Sequence, residues 1–263
     1  MHTQEIIRTL RAPDQQGMGR LIDTVEYGSE NLDRLTRLDA VAHTVRVWDG
    51  STIPGVLQTP GYSARVIAAA HPRLDGHEIR RRVVIKDRRA KEFLRRILNP
   101  GELHMAYFAI GEEAILRCVN AAEDGGETHA AQLRHLVELS KHPRIAIRML
   151  PEFTMVPGGA HQFALYGLDD ALRIGYVETI MGSWYSTRPE DIARLHSTFS
   201  DIMAETMSPV ETRHFVGEVL DSWQSAKRTS RALTEESTSS SPPTRRRATT
   251  ASESPEQHDR PET

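Results

Sequence analysis

The stretch Ile53-Pro54-Gly55-Val56-Leu57-Gln58-Thr59-Pro60-Gly61-Tyr62 constrains the fold more tightly than any other part of the chain. Pro54 fixes its own φ and drives Ile53 into an extended conformation, while Gly55 has access to positive φ. Thr59 before Pro60 reads as an N-cap followed by proline at the first helical position, where the missing N–H loses no hydrogen bond. The chain must leave an extended segment, turn sharply and start a helix, which this pattern predicts over 60–70. Upstream, Val45-Arg46-Val47-Trp48 alternates apolar and polar residues and reads as the strand that feeds the turn.

Periodicity organises the rest. Leu32, Leu35, Leu38 and Val41 recur at helical spacing and predict a helix over 29–43. The segment 76–96 is the most charged helix: Ile79, Val83, Phe93 and Ile97 give a broken apolar stripe, and arginines cover the remainder, with Arg88 at its centre. Asp75, Glu78, Asp87 and Glu92 lie three or four residues from those arginines, so a solvated or partner-facing helix is a better reading than a phosphate site. Residues 102–110 alternate as a strand. Residues 112–120 read as a helix whose first turn carries Glu112 and Glu113, as the helix dipole favours. A helix over 128–141 follows, then strands over 144–150, 162–168 and 172–178, the last two joined as a hairpin. Helices over 189–207 and 209–224 each open with proline. The predicted class is α+β: one mostly antiparallel sheet of about five strands with packed helices and a disordered C-terminal tail.

Composition sets the boundaries. A chain of 263 residues with 38% hydrophobic content holds one core plus flexible ends. We expect a flexible segment over 1–20, one domain over 21–226, and a disordered Ser/Thr/Pro/Glu/Arg tail over 227–263, which cannot bury enough apolar surface to offset its ordering entropy. A formal charge of −3 argues against broad electrostatic attraction to nucleic acid. The single cysteine, Cys118, excludes an intramolecular disulfide and a cysteine-rich zinc site, fits a reducing cytoplasm, and is expected to be a buried structural thiol. No apolar run approaches the roughly 20 residues that span a bilayer, and residues 1–17 lack the apolar centre of a secretory signal.

Chemical motifs are sparse. The histidines are scattered, and none forms His-Glu-x-x-His or a comparable ligand set, so no metal is expected. The turn Gly158-Gly159-Ala160-His161 has neither a dinucleotide-binding pattern nor a P-loop ending, and no Gly-x-Ser-x-Gly elbow occurs, so neither a cofactor nor a catalytic residue is assigned. Glu112, Glu113 and Glu178 invite comparison with a carboxylate pair. Helix and strand termini account for them equally well. Trp48, Tyr62, Phe163, Tyr166, Tyr176, Trp184 and Tyr185 gather on strands and strand exits. Core packing explains most of them, and an aromatic pocket or protein-binding face near the Pro54-Gly55 turn is the alternative.

Taken in order, several short motifs add up. They are Ile53-Pro54-Gly55 to Tyr62, the arginine-rich helix around Arg88, Gly111-Glu112-Glu113, Gln132-Leu133, the run from Arg144 to Pro151, Phe163, and Gly175-Tyr176-Val177-Glu178. Over about 21–220 the chain resembles the C-terminal regulatory domain, a domain of unknown function, of actinobacterial Xre-type helix-turn-helix regulators of the toxin–antitoxin-like kind. An Arg-Gln pair typical of that family is replaced here by Lys91-Glu92. Only 20 residues precede Leu21, too few for the helices that would place a recognition helix in the major groove.

The resemblance implies a cytoplasmic, non-enzymatic transcription-control module without a cofactor. It would act through a small regulatory partner protein, a full-length helix-turn-helix relative or a second copy of itself, with no direct DNA binding by this chain and no membrane. The expected ligand or partner surface comprises Pro54, Gly55, Gln58, Tyr62, Arg88, Glu112, Glu113, Phe163, Tyr176 and Glu178. Two rival readings stand beside it. One is a small-molecule sensor whose pocket lies between the Pro54-Gly55 turn and the aromatic strand ends. The other is an enzyme of a biosynthetic cluster using Glu112, Glu178 or His161 as acid–base groups.

Overall fold

A parallel set of strands and an antiparallel set meet at one shared strand in the computed structural model, which describes residues 20–23 and 29–239 apart from 100, 103–104, 119–123, 125, 169–171 and 180–181. The strands are β1 (Arg20–Asp23), β2 (Thr44–Asp49), β3 (Met105–Gly111), β4 (Ile145–Leu150), β5 (Phe163–Gly167), β6 (Arg173–Thr179) and β7 (Gly182–Ser186). The α-helices among the described residues are α1 (Ser29–Asp39), α2 (Pro60–Ala70), α3 (Gly76–Leu98), α4 (Glu112–Leu116), α5 (Glu127–Leu139), α6 (Pro189–Glu205) and α7 (Pro209–Ser239).

The sheet runs β1-β7-β6-β5-β2-β3-β4. Strands β2, β3 and β4 pair in parallel. From β2 through β5, β6 and β7 to β1 every pairing is antiparallel. The sheet is therefore α+β as expected but mixed, with six strands from β2 to β7 and the short β1 added at one edge, where the sequence reading gives about five strands. The parallel pairings have a physical cause. Helices α2 and α3 separate β2 from β3, and α4 and α5 separate β3 from β4; a crossover of that length returns the chain parallel to where it left. The extra strand β7 is Gly-Ser-Trp-Tyr-Ser, whose small polar residues carry no apolar run for the eye to find.

Alternation along the strands divides the interior. Ala106, Phe108 and Ile110 of β3 point with Ile145, Ile147 and Met149 of β4 into the larger core, together with Leu38, Tyr62, Phe93, Leu133 and Val216 from the helices. Phe93 meets Phe108 edge-on at 6.0 Å between centroids; burying each such ring is worth roughly 2–3 kcal/mol. Trp48, Ala109, Leu150 and Phe163 form a smaller core with Phe199 and Ile202 of α6. This period of two is what a sheet covered on both faces requires.

By compactness the chain divides after Ser225. The first unit contains the sheet. In the second, residues 226–239 are helical, whereas composition predicts disorder from Lys227. Extending an existing helix needs no nucleation, and Ala226, Lys227, Arg231, Ala232, Leu233, Glu235 and Glu236 are all good helix formers. The expected flexible segment 1–20, apart from Arg20, and the tail over 240–263 lie outside the described residues.

Candidate functional site

The signature turn begins at the carboxyl end of β2. Asp49 accepts from the backbone N–H groups of Ser51 (3.2 Å) and Thr52 (2.9 Å) and from the Thr52 hydroxyl (2.8 Å). This Asx-type turn reverses the chain at once. Ile53 is fully buried, and Pro54 (φ −51°, ψ 136°) leads into a single 3-10 turn over Gly55–Leu57, in which the Leu57 N–H donates to the Pro54 carbonyl at 2.8 Å. Gly55 is not at positive φ, contrary to the sequence reading, because Pro54 and the 3-10 turn make the reversal without it. Its bare Cα instead leaves room: a Cβ there would stand 3.7 Å from both Lys86 Cε and Arg89 Nη1. Thr59 caps α2 as its position predicts, accepting from the Tyr62 N–H at 3.4 Å, with Pro60 in the first turn.

Two buried glutamines fix this turn. Gln58 Nε2 donates to the Ile53 carbonyl at 2.7 Å. Gln132, fully buried on α5, donates to the Leu57 carbonyl at 2.8 Å and accepts from the Thr59 N–H at 2.6 Å. The Ile53 and Leu57 carbonyls and the Thr59 N–H, left over by the irregular backbone, therefore have partners, which such a turn needs in order to persist.

Between the turn, the ends of β2, β5 and β6, and helix α3 lies a cleft of about 280 Å³. Its floor is aromatic, with Phe163, Tyr166 and Tyr176. Its polar groups are arranged by sign. Helix α3 contributes Arg81, Arg82, Lys86 and Arg89, with Glu78 neutralised by its ion pairs to Arg81 and Arg82, and the sheet contributes Asp49 and Glu178. Arg89 is satisfied by the Asp39 carboxylate of α1 at 2.6 Å. Lys86 donates to Gln58 Oε1 at 2.9 Å, an amide oxygen that also accepts from Ser63 Oγ at 2.9 Å, and no carboxylate among the described residues pairs with it. Burial, seconded by the Arg89 charge, pushes the Lys86 ammonium down to about 8, against the pull of Glu178 and Asp49. Burial likewise pushes the Asp49 carboxyl up to about 6 despite its hydrogen bonds from Thr52 and Ser51. Glu178 Oε2 accepts from Gln162 Nε2 at 2.5 Å and from the Tyr176 hydroxyl at 2.8 Å. Shifted groups of opposite sign facing one cavity are a physical mark of a binding site.

Of the residues singled out in the sequence, Pro54, Gly55, Gln58, Phe163, Tyr176 and Glu178 come together around this cleft. Tyr62 does not line it. The ring is 2% exposed beneath the turn, and burial raises its phenol to about 12. Arg88 is exposed on α3 and does not line the cleft either. Glu112, Glu113 and His161 line a second cavity, which Trp48 and Asp49 also line. There Glu112 accepts from the Glu152 N–H at 2.8 Å and Glu113 is paired with Arg117. Cys118 is half-buried, and burial pushes its thiol up, away from nucleophilic use.

Sequence reasoning missed Lys86, Arg82 and Asp49. Lys86 and Arg89 stand three apart and so share a face of α3, but the many arginines of that helix hid the one lysine turned inward.

Every cleft residue named above falls inside residues 32–218, the span matched by the family model described as a domain of unknown function (DUF5753). The chain belongs to that family. No curated protein matches it significantly. The DUF5753 match covers β2 to β7 and leaves β1 outside, so the cleft is built entirely within the family domain. Among the described residues of this DUF5753 chain, no group of three or more His, Cys, Asp or Glu side chains could hold a metal ion, and no helix is long and apolar enough to cross a membrane.

Proposed function

We propose that this DUF5753 chain is a cytoplasmic, non-enzymatic regulatory module of an actinobacterial Xre-type system, and that its cleft receives a small molecule whose binding is passed to a partner. The observation that carries this reading is the half-buried Lys86 ammonium, which faces an aromatic-floored cavity and whose hydrogen-bond partner among the described residues is the Gln58 amide oxygen. An ordinary core would not retain such a group, because an incompletely paired buried cation costs stability. The signature turn then has a purpose: two glutamines hold it rigid so that the cleft keeps its shape in the absence of ligand.

The test is thermal denaturation of the full chain against a broad metabolite library. A ligand that binds only the folded state raises Tm by mass action. Gly55→Leu, which places a side chain into the cleft at a position without positive φ, should fold and lose the response. A library that produces no shift in the parent chain would sink the sensor reading.

A second reading, docking of a small regulatory protein, is favoured by one observation. Phe153 and Met155 are 98% and 89% exposed on the connection between β4 and β5, a location where apolar side chains mark a contact surface when they occur together. Co-purification with Phe153→Ser beside the parent chain tests it, and equal recovery of a small partner by both would remove this loop from consideration. The enzyme reading gains no support, since its acid–base groups are divided, with Glu178 in the first cavity and Glu112 and His161 in the second.

A further inference from the structure

Resting on the proposal that the cleft binds a small molecule, the arrangement of its charges narrows the class of that molecule. Lys86 has no carboxylate within ion-pair distance among the described residues, yet Glu178 and Asp49 both act on its charge from across the cavity. Arg82 spends Nε on Glu78 at 3.0 Å, and its terminal nitrogens make no hydrogen bond among the described residues. On the other wall, Glu178 uses only Oε2, with bonds from Gln162 and Tyr176, and its Oε1 accepts nothing among the described residues. Asp49 has both oxygens engaged by its own turn. The cleft thus presents unused donor capacity on α3 and an unused carboxylate oxygen on β6.

We propose that the ligand is zwitterionic and of amino-acid size, with its anionic group against Lys86 and Arg82, its ammonium against Glu178 Oε1, and its side chain on the Tyr176 and Phe163 rings. Singly charged molecules fit less well for a stated reason. A simple anion reaching Lys86 would meet the field of Glu178 and Asp49, and a simple cation reaching Glu178 would meet Lys86, Arg82 and Arg89; each is rejected by the wall it does not match. A molecule carrying both charges is the one that gains on both sides. The volume agrees, since about 280 Å³ lies at the small end of ligand cavities.

The experiment uses the full chain and three matched probe sets at millimolar concentration, followed by thermal shift and calorimetric titration. The sets are the common L-α-amino acids, their N-acetyl derivatives, which keep only the anion, and their amides, which keep only the cation. At least one free amino acid should raise Tm while its N-acetyl and amide counterparts do not. Lys86→Met and Glu178→Gln should each weaken that binding by about tenfold or more, the ratio that one lost charged hydrogen bond supplies, and Lys86→Arg should restore it in part. A derivative with a single charge that binds as well as its parent amino acid overturns the zwitterion assignment while leaving a ligand-binding cleft in place. If the amino acids are silent and the metabolite library yields a neutral or singly charged ligand indifferent to Lys86→Met, the assignment fails in the same way. Silence of the amino acids and the library together overturns both readings.

Discussion

Lys86 and Arg89 stand one turn apart on the same face of α3, both drawn away from solvent, and the fold treats them differently. Arg89 meets the Asp39 carboxylate at 2.6 Å. Burial pushes that carboxyl up and the Arg89 guanidinium pulls it back, with the Tyr166 hydroxyl also hydrogen-bonded to it. Arg96, two turns further on, donates to the Asp39 backbone carbonyl and, at 2.9 Å, to that of Glu102. Two turns of α3 are therefore tied to the end of α1 and to the turn before β3, and the planar guanidinium groups suit that fixed geometry. Lys86 faces open space with one amide oxygen at 2.9 Å. Arg89 with its carboxylate is part of the frame, whereas Lys86, which no carboxylate pairs with among the described residues, is the cation that the proposed ligand would answer.

The comparison is broken or sharpened first by removing the frame. Asp39→Ala would leave the Arg89 guanidinium buried without its partner, and the expected loss is about 3–5 kcal/mol in chemical denaturation. Lys86→Met should act in the opposite direction and raise stability by roughly 1–2 kcal/mol at neutral pH, because an opposed charge is replaced by an apolar chain of similar length. The sign can be checked by titration. The folded state holds Lys86 at about 8 against 10.5 unfolded, so between those values the unfolded chain binds the extra proton and stability should climb as pH rises. Lys86→Met should abolish that climb. If Lys86→Met and Asp39→Ala both destabilise, the two turns are alike and the distinction collapses.

Asp49→Asn is the next test, with an expected effect of about 1 kcal/mol because the amide also surrenders the bond from the Thr52 hydroxyl. Asp49 is raised to about 6 from 3.8. Its protonated form is favoured by folding, so its contribution is fully present below the lower value and is lost as pH rises through the higher one. The parent chain should lose stability relative to Asp49→Asn across that interval. Parallel profiles would mean that Asp49 is solvated and the cleft is wetter than its geometry suggests.

Local grammar was legible where it is enforced by backbone chemistry. Helix α2 occupies Pro60–Ala70, the span that Thr59 and Pro60 dictate, and β2 and β4 to β6 fall where apolar alternation puts them. What the sequence could not display depends on which distant segments meet. The parallel pairing of β2 with β3 was implicit in the two helices between them, yet local patterns do not state pairing partners. Gly55 was singled out for the wrong property, conformational freedom, when what counts is the missing side chain opposite Lys86 and Arg89. Tyr62 reads as surface because an aromatic ring at a helix start gives the same local pattern whether it points in or out. Lys86 was lost in a crowd of arginines, since a helix face acquires meaning only once its neighbours are known.

The smallest expected effect is also the most pointed. Glu178 and Asp49 both hold the Lys86 ammonium up against burial, and Glu178 does so more strongly. Glu178→Gln should therefore lower the Lys86 titration midpoint, and Asp49→Asn should lower it less, as read from the pH-dependent chemical shift of a selectively labelled lysine side chain. Both variants leave Asp39 and Arg89 in place, so global stability gives an independent check that the frame is intact. If the midpoint moves for neither, the two carboxylates do not face Lys86 across a shared space of low dielectric. The zwitterion assignment would then lose its acidic wall, although the buried lysine would still need an anion to answer it.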